Sequence, residues 1–157
     1  MQNRIIKGYE MQFQWLKKIE NPLVKPFYKQ YLPYSRPNKA EHIAVLKDNN
    51  SKDNNGIVAC ARLRPIGELT LLTGMLVSPD YRGQQLGHRL LRDMRSHFTS
   101  GKTFTFALPH LADFYQQHGF VQTEQAPNDI QQRFLAYQQQ GKSLLLLGFN
   151  DSNQADI

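Results

Sequence analysis

Residues 75–91 read MLVSPDYRGQQLGHRLL, and this stretch carries the clearest structural pattern in the chain. An apolar run ends in a short polar turn that contains Gly83, and the turn leads directly into a helical pattern. Apolar residues recur along that helix at positions 86, 90, 91, 94 and 98, which lie on one face. The stretch therefore predicts a strand, a tight turn and an amphipathic helix.

This strand–turn–helix unit predicts a binding site for an anion. The first N–H groups of a helix have no partner within it, and the positive end of the helix dipole lies behind them. Phosphate groups bind well at such a position. Gly83 and Gly87 allow a close approach to the backbone, and Arg82 adds a positive charge. The spacing does not match the dinucleotide fingerprint, and GKS at 141–143 lacks the upstream glycine of a P-loop.

The chain on either side alternates between strand and helix patterns. Strands are predicted at 4–8, 41–47, 56–64, 68–77, 103–108, 120–123 and 143–149. Helices are predicted from Asn21-Pro22 to Leu32 and at 86–98, 111–118 and 129–140. The polar run DNNSKDNN at 48–55 predicts a hairpin loop. This order is typical of a mixed α/β layer in which helices cover a partly antiparallel sheet.

Composition places the chain among ordinary globular domains. A length of 157 residues without repeats or linkers predicts one domain over 1–157, with 150–157 as a flexible tail. Cys60 is the single cysteine, so no internal disulfide can form, and its apolar neighbours predict a small buried side chain. The start lacks a signal peptide and no apolar run approaches the roughly 20 residues of a membrane span. We therefore expect a cytoplasmic protein.

The histidines give no sign of a metal site. They do not show metal-ligand spacing with one another or with Cys60. The histidines considered are His42, His88, His97 and His118. We therefore predict no bound metal.

The positive charge of the chain is concentrated at one end. The net charge is +6, and residues 1–47 hold nine basic against three acidic residues, whereas 48–157 hold ten of each. A localised basic region raises the local concentration of an acidic partner. The alternative is a solvated basic surface without a specific ligand.

Two motifs resemble those of one known family. The run VSPDYRGQQLGHRLL resembles motif A of the GNAT superfamily of N-acetyltransferases, V-x-P-x-x-[RQ]-x-x-G-x-[GA], which holds coenzyme A. The run ADFYQQHGF at 112–120 resembles motif B of that family. The motifs stand one helix and one strand apart, as they do in the family, and with their flanks they cover residues 69–123. The resemblance implies a GNAT-like α/β (α+β) fold, with helices flanking a mixed, mostly antiparallel sheet of six to seven strands that is splayed between strands 4 and 5.

The resemblance also implies positions for acetyl-CoA. The pantetheine arm would pair with the backbone of Met75, Leu76 and Val77. The pyrophosphate would lie on the backbone amides of Arg82, Gly83, Gln84, Gln85, Leu86, Gly87 and His88. Gln85 departs from the family, which usually has glycine there; its side chain could crowd the phosphates, although its amide would still point correctly in ordinary helical geometry. A second departure is Pro109, where the family often has asparagine.

For the chemistry, the resemblance makes Tyr115 the general acid that protonates the leaving thiolate. A phenol with a pKa near 10 is protonated at neutral pH and can supply that proton. The general base is left open. Glu68 at the start of the fourth strand and His110 beyond the fifth are the candidates, and for both the alternative is a solvated surface group.

The resemblance implies an N-acetyltransferase that moves the acetyl group of acetyl-CoA to a primary amine by direct attack. The family's acceptor enters beside the N-terminal helices, where residues 17–47 combine basic side chains with Tyr28, Tyr31, Tyr34 and Arg36, so we expect an anionic small molecule or peptide as acceptor. Two alternatives stay open: a non-catalytic acyl-CoA sensor, which would not need Tyr115, and an aminoacyl-tRNA acetyltransferase, against which the lack of a continuous basic stripe argues. A longer acyl chain and a homodimer also stay open.

Overall fold

Seven strands form one sheet in the computed structural model, which describes residues 11–151. Their order across the sheet is β1-β2-β3-β4-β5-β7-β6. Their bounds are β1 Gln12–Trp15, β2 His42–Lys47, β3 Ile57–Ile66, β4 Leu69–Val77, β5 Thr103–Ala107, β6 Phe120–Gln122 and β7 Leu145–Phe149. The helices are α1 Lys25–Tyr31, α2 Leu86–Met94, α3 Ala112–Gln116 and α4 Asn128–Gln139.

Most neighbouring strands run antiparallel. β1 pairs with β2, and β7 pairs with both β5 and β6, in antiparallel ladders. β4 and β5 are parallel, joining 70–72 to 103–105, and β4 continues beyond this ladder to Val77. A parallel pair needs a crossover connection, which α2 supplies along the chain between β4 and β5. The predicted mixed, mostly antiparallel sheet with flanking helices is therefore confirmed.

The described residues pack as two compact units. The first contains the residues up to Arg62 together with Gly74–Met94, and it holds β1, β2, most of β3, α1, α2 and the end of β4. Here α2 packs against β2. One core cluster of this unit is apolar apart from a tyrosine and a cysteine: Leu16, Val24, Phe27, Tyr28, Ile43, Val45, Ile57, Cys60 and Leu76.

The second unit contains Leu63–Thr73 and the described residues from Arg95 onward. Its core cluster brings α4 onto the start of β4 and onto β5 and β7, through Ile66, Leu71, Phe104, Ile130, Phe134 and Leu146. A second group, Phe98, Phe120 and Phe149, stacks edge to face with ring centroids 5.2–5.4 Å apart. Gly119 has the predicted left-handed backbone, with a φ of +91°, although α3 ends earlier than predicted, at Gln116.

The N-terminal elements differ from the prediction. Asn21 does not cap an α-helix; residues 18–24 form a 3₁₀ helix that includes Pro22, and α1 begins at Lys25. The Asn21 side-chain amide instead donates to the Glu41 carbonyl at 3.1 Å, a tertiary contact that local sequence cannot reveal. β1 was not predicted, and the predicted strand at 4–8 lies outside the described residues.

The last described residues, Asn150 and Asp151, are held to the second unit. Asn150 N–H donates to the Gly119 carbonyl at 2.9 Å, and Asp151 forms an ion pair with Arg95 at 3.2 Å. The rest of the predicted tail, 152–157, lies outside the described residues. None of the helices within 11–151 is long and apolar enough to cross a lipid bilayer.

Candidate functional site

The predicted anion-binding turn connects β4 to α2 and is anchored at two points. Ser78 N–H donates to the Val58 carbonyl at 2.8 Å, which ties the end of β4 to β3. The Tyr81 hydroxyl donates to the Asp48 carboxylate at 2.7 Å, which ties the turn to the loop after β2. Asp48 is 5% exposed, so this second anchor is shielded from water. The turn therefore has a fixed course before it reaches the helix.

Two residues of the turn adopt left-handed backbone conformations. Gly83 has a φ of +79°, which glycine adopts freely. Gln85 has a φ of +64°, which is uncommon and costly for a residue with a side chain. The expectation of ordinary helical geometry at Gln85 is therefore wrong. Glycine would adopt this left-handed φ without the steric cost that the glutamine side chain brings.

The start of α2 follows immediately. Arg89 N–H donates to the Gln85 carbonyl at 3.0 Å, so the amides of Leu86 and Gly87 lie ahead of the first hydrogen bond of the helix. The buried side of α2 is fixed by Leu86, Leu90, Leu91 and Met94, which are at most 1% exposed. Arg82 is exposed, and its Nε lies 3.4 Å from the Val77 carbonyl. The turn thus combines helix-terminal amides with an adjacent cation, as an anion site requires.

Tyr115 lies in the second unit, on α3, and is 6% exposed. Burial raises the pKa of its phenol to about 12, and a hydrogen bond with Thr105 acts in the opposite direction. The Thr105 hydroxyl in turn donates to the Leu72 carbonyl at 2.8 Å, where β4 and β5 are paired. Tyr115 is therefore a neutral phenol at any physiological pH, with its hydroxyl directed at the parallel ladder.

The two candidate bases lie at the surface of the same unit. His110 is exposed in the short turn between β5 and α3. Glu68 is exposed in the tight turn that precedes β4, not on the strand itself. It stands four positions before Leu72, which corresponds to roughly 13 Å along a strand. The described part of the chain holds no group of three His, Cys, Asp or Glu side chains arranged to bind a metal ion.

A buried polar cluster that the sequence did not predict lies in the first unit. The Arg62 guanidinium is 1% exposed and pairs with the Glu41 carboxylate at 2.8 Å. It also lies 4.4 Å from the centre of the Tyr28 ring. The Tyr28 hydroxyl donates to the Gly74 carbonyl at 2.6 Å and lies 3.2 Å from Cys60 Sγ. A lone arginine in the otherwise apolar run at 57–63 was the available signal for this cluster.

Cys60 and Tyr28 are not reactive groups in this setting. Burial raises the pKa of the Cys60 thiol to about 12, so a thiolate nucleophile does not form near neutral pH. Burial also raises the pKa of Tyr28 well above its usual value. The prediction that Cys60 is a small buried side chain is confirmed, since it is 0% exposed.

The basic surface of the first unit is present, but its tyrosines differ from the prediction. Among residues 11–47, the exposed cations are Lys17, Lys18, Lys25, Lys29, Arg36 and Lys39. Tyr34 is 76% exposed among them, whereas Tyr28 is 1% exposed and belongs to the core. Tyr28 is therefore not part of an acceptor-facing surface.

Comparison with solved structures places the fold among acetyltransferases. ElaA from Escherichia coli is 16% identical with a TM-score of 0.61, covering 89% of this chain and 99% of that one. N-acetylglutamate synthase from Neisseria gonorrhoeae, in complex with coenzyme A and N-acetyl-glutamate, is 16% identical with a TM-score of 0.60, covering 88% of this chain and 34% of that one. Glucosamine-6-phosphate N-acetyltransferase from Arabidopsis thaliana is 12% identical with a TM-score of 0.54, covering 75% and 96%.

At these identities the likeness concerns the fold alone. No curated protein sequence matches the chain significantly. The profile of the acetyltransferase (GNAT) domain, however, matches residues 39–122, which is more than half of the chain and includes β2 to β6. The chain therefore belongs to the GNAT acetyltransferase family.

Proposed function

We propose that this chain is an N-acetyltransferase that transfers the acetyl group of acetyl-CoA to a primary amine. The observation that carries the proposal is the turn between β4 and α2, where left-handed Gly83 and Gln85 precede the first amides of a nine-residue helix. Diphosphate groups suit such a turn. Its amides and Arg82 would hold the pyrophosphate of acetyl-CoA, and the backbone of Met75–Val77 would pair with the pantetheine arm. That the Neisseria synthase was solved with coenzyme A supports this choice of donor.

The reaction we propose is direct attack without a covalent enzyme intermediate. The nitrogen lone pair of the amine attacks the thioester carbonyl, a C–N bond forms, and the C–S bond breaks. Tyr115 gives its proton to the departing thiolate, and the proton lost by the amine passes through a base to solvent, which returns one to Tyr115. Because burial raises its pKa to about 12, the Tyr115 phenol is protonated at neutral pH and has a proton to give.

For the base we propose His110. It follows β5 by a few residues and lies five positions before Tyr115, within the same unit. We do not assign Glu68 to this role, because the turn that carries it stands four positions ahead of the Leu72–Thr105 pair toward which Tyr115 is directed. Replacement of His110 by glutamine tests this assignment and should remove the limb of the pH–rate profile that reports the base.

For the acceptor we propose an anionic amine. The exposed lysines and arginine of residues 17–39 favour a negatively charged ligand. Two proteins with this fold are named for acidic ligands: the Neisseria synthase was solved with N-acetyl-glutamate, and the Arabidopsis enzyme is a glucosamine-6-phosphate N-acetyltransferase. Amino acids with acidic side chains and amino sugar phosphates are therefore the first classes to screen.

The test is an acceptor screen that measures free thiol released from acetyl-CoA. Anionic amines should be turned over faster than neutral amines or polyamines, and Tyr115→Phe should lower turnover at least tenfold, in line with the usual contribution of a general acid. Tyr137→Phe is the matched control, because Tyr137 lies on α4 against Phe106 and Lys142 and should leave turnover unchanged. Binding of acetyl-CoA without turnover of any acceptor class would favour the sensor instead.

A further inference from the structure

β4 contains a left-handed residue just ahead of the segment proposed to bind the pantetheine arm. Gly74 has a φ of +68°, whereas regular strands have negative φ throughout. Such a residue locally interrupts the pleat and redirects the backbone that follows. The course of Met75–Val77 therefore depends on what holds Gly74 in this conformation.

Tyr28 and Arg62 hold Gly74 from two sides. The Tyr28 hydroxyl donates to the Gly74 carbonyl at 2.6 Å. A Cβ at position 74 would lie 2.3 Å from Arg62 Nη1 and 2.9 Å from the Tyr28 hydroxyl, both closer than real Cβ atoms come. The two side chains thus occupy the space that a side chain at position 74 would need.

These two side chains are themselves fixed by a buried network. The Arg62 guanidinium stacks over the Tyr28 ring and pairs with Glu41. The same Glu41 oxygen accepts the Asn38 N–H at 2.8 Å, which joins the network to the loop before β2. Tyr28, Arg62 and Glu41 are all at most 1% exposed, so the network has little freedom to rearrange.

The network is poorly explained as a stabilising device. Burying an ion pair costs about as much desolvation energy as the attraction returns, and apolar side chains of similar size often do as well. A network that gains little stability is better explained by the geometry it imposes on β4.

We propose that Tyr28 is a positioning residue for the acyl donor. Its hydroxyl, supported by Arg62 and Glu41, fixes the bend of β4 at Gly74 and thereby the backbone of Met75–Val77 that receives the pantetheine arm. Tyr28 does not touch the reacting atoms in this account. The inference rests on the proposed function, because it assumes that coenzyme A lies along this segment.

The test compares two ligands on Tyr28→Phe, which removes only the hydroxyl. Calorimetry would measure Kd for coenzyme A and for 3′-phosphoadenosine 5′-diphosphate, which keeps the phosphates and lacks the pantetheine arm. We expect coenzyme A to bind about tenfold more weakly, equivalent to about 1.4 kcal/mol, and the nucleotide to bind within about twofold of wild type. Cys60→Ala is the matched control: it removes the other neighbour of the same hydroxyl, retains the Gly74 contact, and should change neither Kd.

The possible outcomes separate the inference from the proposed function. A wild-type protein that fails to bind coenzyme A overturns the proposed function, and the inference with it. A wild-type protein that binds coenzyme A, with Tyr28→Phe binding it equally well, overturns the inference alone. If Tyr28→Phe binds coenzyme A and the nucleotide more weakly by the same factor, the substitution has loosened the whole binding site, and this result also contradicts the inference. If Tyr28→Phe does not fold, Arg62→Lys, which keeps the charge and loses the planar stack, should show the same selective loss of coenzyme A affinity.

Discussion

Gln85 has a side chain but adopts a backbone conformation that glycine adopts more easily. The stability difference between a glycine and an alanine variant should therefore have the opposite sign at Gln85 from that at an ordinary helical position. Because its φ is +64°, Gln85→Gly should be more stable than Gln85→Ala by about 1 kcal/mol. At Gln132, an exposed position within α4, the order should be opposite, with glycine about 1 kcal/mol less stable than alanine. Urea unfolding of the four variants measures both differences. Alanine favoured over glycine at both positions would contradict the left-handed assignment.

Some features of the site residues could be predicted from the sequence and others could not. The turn, its glycines and Tyr115 could be located because their types and spacing carry the information. The positive φ of Gln85 could not, because a glutamine gives no local sign of a left-handed backbone and the conformation is imposed by the turn. Tyr28 is expected on the basic surface because its neighbours are basic, whereas α1 directs it into the core.

Two glycines with a left-handed backbone, one in β4 and one in the turn before it, differ in the space around them. Gly74→Ala combines a left-handed φ of +68° with a Cβ placed 2.3 Å from the Arg62 guanidinium, and we expect a loss of about 3 kcal/mol or more. Gly67→Ala, in the turn before β4, has a φ of +60° and nothing within 4 Å, so the loss should be about 1 kcal/mol. Equal losses in chemical denaturation would show that Arg62 does not occupy the space beside Gly74.

The elements themselves were predictable to different degrees. β2 to β5 and α2 follow from apolar periodicity, and their observed bounds lie close to those expected. The prediction of an α-helix start at Asn21-Pro22 was wrong. The Asn21 amide donates to the carbonyl of a residue 20 positions away, and no local sequence rule anticipates such a contact. β1 is a four-residue edge strand with a weak pattern, and its partner β2 determines it more than its own sequence does.

Stability of the whole chain should fall in alkaline solution before the basic side chains titrate. Burial raises the pKa of Cys60 from 9.0, and of Tyr115 from 10.0, to about 12 in both cases. The unfolded chain loses these protons more readily than the folded state does, so this contribution to stability is complete below about pH 8 and falls as the pH rises toward 12. Between pH 8 and 10 we expect the free energy of unfolding to drop by about 1–2 kcal/mol.

Cys60→Ala separates this effect from other alkaline changes. The variant removes the Cys60 thiol, so its free energy of unfolding should fall by about 1.4 kcal/mol less than that of wild type over the same interval. Urea titrations at pH 8 and pH 10 provide the comparison. An identical drop in both proteins would mean that the thiol is not held protonated by burial.

The central claim is that the turn between β4 and α2 binds acetyl-CoA, and a thermal melt tests it most directly. Acetyl-CoA at 100 times its Kd would add about 2.7 kcal/mol, which should raise the Tm of a chain of this length by roughly 5–10 °C. NADH and ATP serve as controls that share phosphates but lack the pantetheine arm. A rise with acetyl-CoA alone is the result we predict; no shift at millimolar acetyl-CoA would contradict the account.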